Sequence, residues 1–164
     1  MTAPVRGARG AVSLFAEPVG AYLRLLECSG RMLANVRRRL EGTCTIARFD
    51  LLAALDRDDG QTLAELSRAL LVTAGNVTGL VDRAERDGLV ARRADRGDRR
   101  VTRVHLTEEG RATLRAALPV HHQTVSAMLG ALDPVERREL GRLLGKLRDA
   151  LRAEDDAPIG EERT

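Results

Sequence analysis

Residues 63–107 read LAELSRALLVTAGNVTGLVDRAERDGLVARRADRGDRRVTRVHLT, and the order of patterns inside them decides the fold. Leu63, Leu66 and Leu70 recur at helical spacing. Just ahead of them Thr62 and Glu65 make the S/T-x-x-E pair that satisfies free backbone donors at a helix start. Thr73 caps a second short helix whose Val77, Leu80, Val81 and Ala84 form its buried side. Gly88 stands where a left-handed residue ends that helix. Residues 89–93 and 101–106 then alternate as half-buried strands around the turn Asp95-Arg96-Gly97-Asp98.

Two short helices followed by a β-hairpin read as a winged helix-turn-helix. The predicted fold is mainly α with a small β-hairpin wing, flanked by further helices. Upstream, a helix is expected over residues 18–41, with Val19, Tyr22, Leu23, Leu26, Leu33, Val36 and Leu40 in one apolar stripe. Thr45 caps the next helix, which carries Phe49, Leu52 and Leu55 inward and ends at the RDDG turn over 57–60. Downstream, Thr107 caps a helix with Glu108 and Glu109 in its first turn, and Pro119 is expected to kink it. Asp133-Pro134-Val135-Glu136 starts the last helix, striped by Leu140, Leu143, Leu144, Leu147 and Leu151.

These stripes exceed what the small winged module needs to cover its own core, and a second copy of the chain is the natural partner. The expected organisation is a flexible segment over 1–17, an N-terminal dimerisation helix over 18–44 and a DNA-binding lobe over 45–107. C-terminal dimerisation helices over 108–153 and an acidic disordered tail over 154–164 complete it.

Charge is placed unevenly. The chain of 164 residues carries a formal net charge of +3, and Lys146 is its only lysine. Residues 83–103 hold eight arginines against four acids, whereas 149–164 hold six acids against two arginines. One end of the fold should attract a polyanion and the tail should avoid it. Arginine supplies the planar fork that recognises phosphates and guanine edges.

The second helix of the module is the candidate recognition helix. Thr73, Ala74, Gly75 and Asn76 are small or polar, so backbone can approach a groove. Asn76 and Thr78 suit hydrogen bonds to base edges, and Thr62 and Arg83 suit the phosphate backbone. At the hairpin, Arg96, Arg99 and Arg100 suit minor-groove insertion, with Asp98 holding one arginine while the other reaches out.

Other function classes find little support. No apolar run is long enough to span a bilayer, and the first twenty residues lack a continuous hydrophobic region and a small-residue cleavage site. The expected location is the cytoplasm. Cys28 and Cys44 make neither a metal-ligand pattern nor a disulfide framework. His121 and His122 are adjacent and so do not share a helix face; they read as exposed or core histidines, and His105 as a residue of the wing surface. The sequence offers no nucleophile–base pair, phosphate-binding glycine loop or paired carboxylates, so no enzyme, metal or cofactor is expected.

Residues 45–151 resemble MarR-type transcriptional regulators. The resemblance rests on TIARFDLLAAL, LAELSRAL, VTGLVDRAERDGLVARR, DRGDRRVTRVHLTEEG and DPVERRELGRLLGKL. It implies a homodimer in which the first and last two helices intertwine and two winged lobes bind a palindromic operator on double-stranded DNA. The family's wing arginine falls on Arg99 or Arg100, and its recognition-helix contacts on residues 73–78. Cys44 departs from the leucine usual before the threonine cap. The resemblance also implies release of DNA by a small phenolic or lipophilic effector held between the dimer helices and the lobe, near Tyr22, Leu26, Arg48 and Phe49. Some relatives sense peroxide through a cysteine on the first helix. A buried, inert thiol is the expectation at Cys28, with thiol sensing as the alternative. The remaining alternative is a winged protein-interaction module without DNA binding.

Overall fold

The structure is a computed structural model that describes residues 17–70, 72–95 and 97–155. Its elements, in order, are α1 (Val19–Leu40), α2 (Ile46–Arg57), β1 (Gln61–Thr62), α3 (Leu63–Leu70), α4 (Ala74–Arg86), β2 (Val90–Ala94), β3 (Thr102–Leu106), α5 (Glu108–Met128) and α6 (Pro134–Asp155). A 3-10 turn, Leu129–Ala131, separates the last two helices. The chain divides into two compact units, one ending at Thr124 and the other starting at Val125.

In the first unit, α2, α3 and α4 pack around the sheet. Leu51, Leu52, Leu55, Leu66, Val77, Val81, Val90 and Val104 are almost fully buried there. Each such side chain contributes roughly 1.5–3 kcal/mol by leaving water. The periodic positions read from the sequence supply much of this set, because a 3.6-residue repeat aims one helix face at the sheet.

Local caps fix where the helices begin. The Thr45 hydroxyl accepts from Arg48 N at 3.3 Å and the Thr73 hydroxyl from Asn76 N at 3.4 Å. At α3 the cap is reciprocal. Glu65 Oε2 accepts from Thr62 N at 2.7 Å, while the Thr62 hydroxyl accepts from Glu65 N at 3.3 Å. The Thr107 hydroxyl accepts from Gly110 N at 3.0 Å and donates to Gly88 O at 2.7 Å, tying the start of α5 to the end of α4. Each such cap is worth about 1 kcal/mol. Gly88 has the left-handed φ of 73° expected of it.

The sheet has one strand more than the hairpin. β1 pairs antiparallel with β3, which pairs with β2, in the order β1-β3-β2. β1 is two residues long, too short to show an alternating pattern, and only its partner on β3 defines it. α5 runs continuously through Pro119 to Met128.

Two apolar stripes face away from their own units. On α1 only Gly20, Val36 and Leu40 are buried, whereas Tyr22, Leu26 and Leu33 are 58%, 49% and 54% exposed. In the second unit, Asp133 caps the start of α6: its Oδ1 accepts from Glu136 N at 2.9 Å while Glu136 Oε2 accepts from Asp133 N at 2.8 Å. Its stripe of Leu140, Leu143, Leu144, Leu147 and Leu151 is also exposed. α6 extends to Asp155, two residues into the segment read as tail. The rest of that tail, and residues 1–16 of the expected flexible start, lie outside the described residues. No helix among the described residues is long and apolar enough to cross a membrane.

Candidate nucleic-acid interface

The fourth helix presents its first turn to solvent. Thr73, Ala74, Gly75, Asn76 and Thr78 are exposed, while Val77 between them is fully buried. One buried valine therefore seats the helix and leaves the polar positions on its outer side. The Thr78 hydroxyl donates to Ala74 O at 2.9 Å and so is engaged within the helix. The Thr73 hydroxyl is engaged by its cap. Asn76 is the position on this turn whose side-chain amide makes no hydrogen bond within the described residues. Ser67 closes the turn between the two helices, its hydroxyl donating to Val72 O at 2.5 Å.

The arginines of the module sort into two groups. Arg92 on β2 is internal: it reaches Asp82 and Glu85 of α4, at 2.6 Å in each case. Its backbone N–H also donates to Glu85, at 2.8 Å. These bonds hold the Glu85 carboxyl below its usual range, the backbone N–H of Arg92 contributing most. Arg103 is likewise internal, paired with Asp95. Arg83, Arg86, Arg93, Arg99 and Arg100 are exposed and make no ion pair within the described residues. Arg96 lies outside the described residues.

Asp98 holds a wing arginine through its backbone rather than through its guanidinium. Asp98 Oδ1 accepts from the backbone N–H of Arg100 at 3.0 Å and so shapes the turn. The acid that pairs with a guanidinium is Asp95, and its partner is Arg103. Thr62 is half-buried and its hydroxyl is spent in the α3 cap, which leaves it little to offer a phosphate. His105 is half-buried rather than a bare surface residue: Asp59 Oδ2 lies 3.0 Å from its Nδ1, while Asp59 Oδ1 accepts from Leu106 N at 2.8 Å.

The residues expected near an effector are placed less uniformly. Tyr22 and Leu26 are exposed on α1. Arg48 is ion-paired with Asp87, the residue that ends α4. Phe49 is buried and stacks on His121 of α5, with ring centroids 4.4 Å apart. His121 Nδ1 is buried and has no hydrogen-bond partner among the described residues, and burial is the main cause that pushes its pKa down. Sequence reading left His121 between an exposed and a core histidine; its stack on Phe49 places it in the core. Cys28 is exposed, contrary to expectation; it lies on the side of α1 opposite the apolar stripe. Its neighbour Arg31 is bonded to Glu27. Cys44 is buried, and desolvation pushes its thiol pKa up.

Comparison with known proteins agrees with this arrangement. Residues 44–101 match the family model described as MarR family. The chain is 34% identical over 133 residues to the transcriptional repressor YetL of Bacillus subtilis, covering 79% of this chain and 80% of that one. It is 31% identical over 145 residues to the transcriptional activatory protein BadR of Rhodopseudomonas palustris, covering 85% and 83%. Among solved structures it is similar to Bordetella bronchiseptica BpsR, described with the regulation of DNA binding by 6-hydroxynicotinic acid. That likeness has a TM-score of 0.73, with 31% identity over 82% of this chain and 96% of that one. The relatives are regulators of transcription rather than enzymes. The chain belongs to the MarR family of winged helix-turn-helix transcriptional regulators.

Proposed function

We propose that the protein is a cytoplasmic, homodimeric repressor that binds a palindromic operator and leaves it when a small effector binds. The observation that carries the reading is the exposed polar first turn of α4, in the same lobe as a hairpin whose tip exposes Arg99 and Arg100. Thr73, Ala74, Gly75, Asn76 and Thr78 face the major groove, with Asn76 reading base edges. Arg83 and the wing arginines engage the backbone and minor groove. Two copies place their half-sites one helical turn apart, ~10 base pairs. The outward stripes of α1 and α6 support the dimer, since a second copy would take those leucines out of water.

The effector reading draws on Arg48 and Phe49 of α2 and on Tyr22 and Leu26 of α1. The unpartnered Nδ1 of His121 beside Phe49 supports it, because a ligand hydroxyl or carboxyl would satisfy that atom. Regulation of BpsR by an aromatic acid points to the same ligand class.

The deciding experiment uses the DNA immediately upstream of the protein's own coding sequence, at several salt concentrations with random competitor. Arg100→Ala is expected to reduce the salt slope by about 1, and Asn76→Ala to relax base preference. An unchanged slope for both Arg99→Ala and Arg100→Ala removes the wing from the interface. Equal weakening by Asn76→Ala on all sequences removes its role in base reading. The exposure of Cys28 favours one second reading, a peroxide-sensing repressor. It predicts that Cys28→Ser abolishes peroxide-induced release while effector-induced release persists.

A further inference from the structure

Arg103 sits on β3, the central strand, opposite Thr62 of β1 on one side and Arg93 of β2 on the other. Its guanidinium reaches three separate parts of the lobe. Nε donates to Asp95 Oδ2 in the hairpin turn. Nη1 donates to Gly60 O at 2.9 Å, in the loop that leaves α2. The same nitrogen lies 3.8 Å from Glu65 Oε2, the oxygen that caps α3 through Thr62 N.

The far side of Asp95 continues the chain of contacts. Its Oδ1 accepts from Gly97 N at 2.7 Å and from Asp98 N at 3.0 Å. Asp98 in turn accepts from Arg100 N. A set of charge-assisted hydrogen bonds therefore runs from Arg103 through Asp95 to the backbone of the wing tip, and the Glu65 carboxylate of the α3 cap lies within ion-pair reach of the same guanidinium. A planar fork with five donors is the side chain that suits such a junction; an ammonium on a flexible stem does not hold its directions.

We propose that Arg103 is a positioning residue for DNA binding: it clamps the hairpin turn to the cap of α3, so that Arg99 and Arg100 are presented at a fixed angle to the recognition helix. Arg103 itself touches no phosphate. The consequence for DNA rests on the function proposed above; the clamp itself does not. Without it the turn must be ordered on binding, and that cost appears as lost affinity.

Two measurements separate the parts. In the free protein, the Asp95 carboxyl is followed by carbon NMR through a pH titration. Its pKa is held at about 2, chiefly by the Arg103 hydrogen bond and then by the Asp98 and Gly97 amides. It is expected to rise toward the ordinary aspartate range in Arg103→Ala and to rise part of the way in Arg103→Lys. An unshifted Asp95 in Arg103→Ala overturns the clamp.

The second measurement is affinity for the upstream DNA duplex against salt. Arg103→Lys keeps the charge and is expected to lose roughly tenfold in affinity at every salt concentration, with the wild-type slope. Wild-type affinity in that variant, or a slope reduced by about 1 in Arg103→Ala, overturns the positioning role. Absence of competitor-resistant binding by the wild type, with the Asp95 shift present, refutes the DNA reading and leaves the clamp standing.

Discussion

Replacing Gly110 by alanine should destabilise the protein although it places a better helix former inside α5. A Cβ built at Gly110 would lie 2.1 Å from Leu89 O and 2.8 Å from Leu106 Cδ1. Ordinary contact begins at 3.4 Å, so the carbonyl and the helix must separate by more than an ångström. That carbonyl also accepts from Thr107 N at 3.1 Å, the bond that joins the start of α5 to the start of β2. Overpacking against backbone costs about 1–3 kcal/mol. Loss of the Thr107 bond adds about 1 kcal/mol. Alanine returns about 1 kcal/mol of helix propensity. The net expectation is a loss of about 1–3 kcal/mol, a fall of roughly 1 M in the urea midpoint. The control is Gly79→Ala in α4, where the added Cβ meets only the mobile Arg83 Nη1 at 3.4 Å. It should gain about 0.5–1 kcal/mol. Both variants are unfolded in urea at one fixed protein concentration, since a dimer's midpoint depends on it. A Gly110→Ala midpoint at or above wild type would refute the steric argument.

The cysteines should differ in reactivity. Cys44 is buried with its thiol pKa raised by desolvation, so it should resist alkylation at pH 8 in the folded protein and react once urea is added; fast native labelling at Cys44 contradicts its placement. Asp95 makes a pH prediction. Its pKa is lowered from 3.8 to about 2, mainly by Arg103, so its contribution to stability is complete above about pH 4 and is lost as pH falls toward 2. Asp95→Asn should therefore flatten the rise in urea midpoint between pH 2 and 4, and a wild-type rise in that variant counts against the pairing.

The features readable from sequence are those fixed over three or four residues. Thr45, Thr62 with Glu65, Thr73, Thr107 and Asp133 all cap where their spacing places them, because a cap bonds to amides two or three positions ahead. The exposed turn of α4 follows from the same local logic, with Val77 as its single anchor. What escapes sequence reading is long-range. β1 is a strand only because Val104 and Arg103 lie opposite it. The glycine in the LTEEG block can be seen, but the carbonyl that demands it belongs to Leu89. The partner of Phe49 is a histidine seventy-two positions away, and nothing in an HH pair announces a stack.

Charge shows why counting is a weaker guide than placement. Eight arginines between residues 83 and 103 suggest one polyanion-binding surface. The structure divides them by neighbour. Arg92 is held between Asp82 and Glu85, and Arg103 between Asp95, Gly60 and Glu65. An arginine already satisfied by two acceptors gains little from a phosphate, since new bonds must first replace old ones. Arg99 and Arg100, exposed at the turn, carry no such debt. The acids in the same stretch therefore do not simply dilute the positive charge. Glu85 and Asp95 bind the arginines that build the wing and leave the tip arginines free, so that neutralising Asp95 should harm presentation of the tip even as it raises net charge.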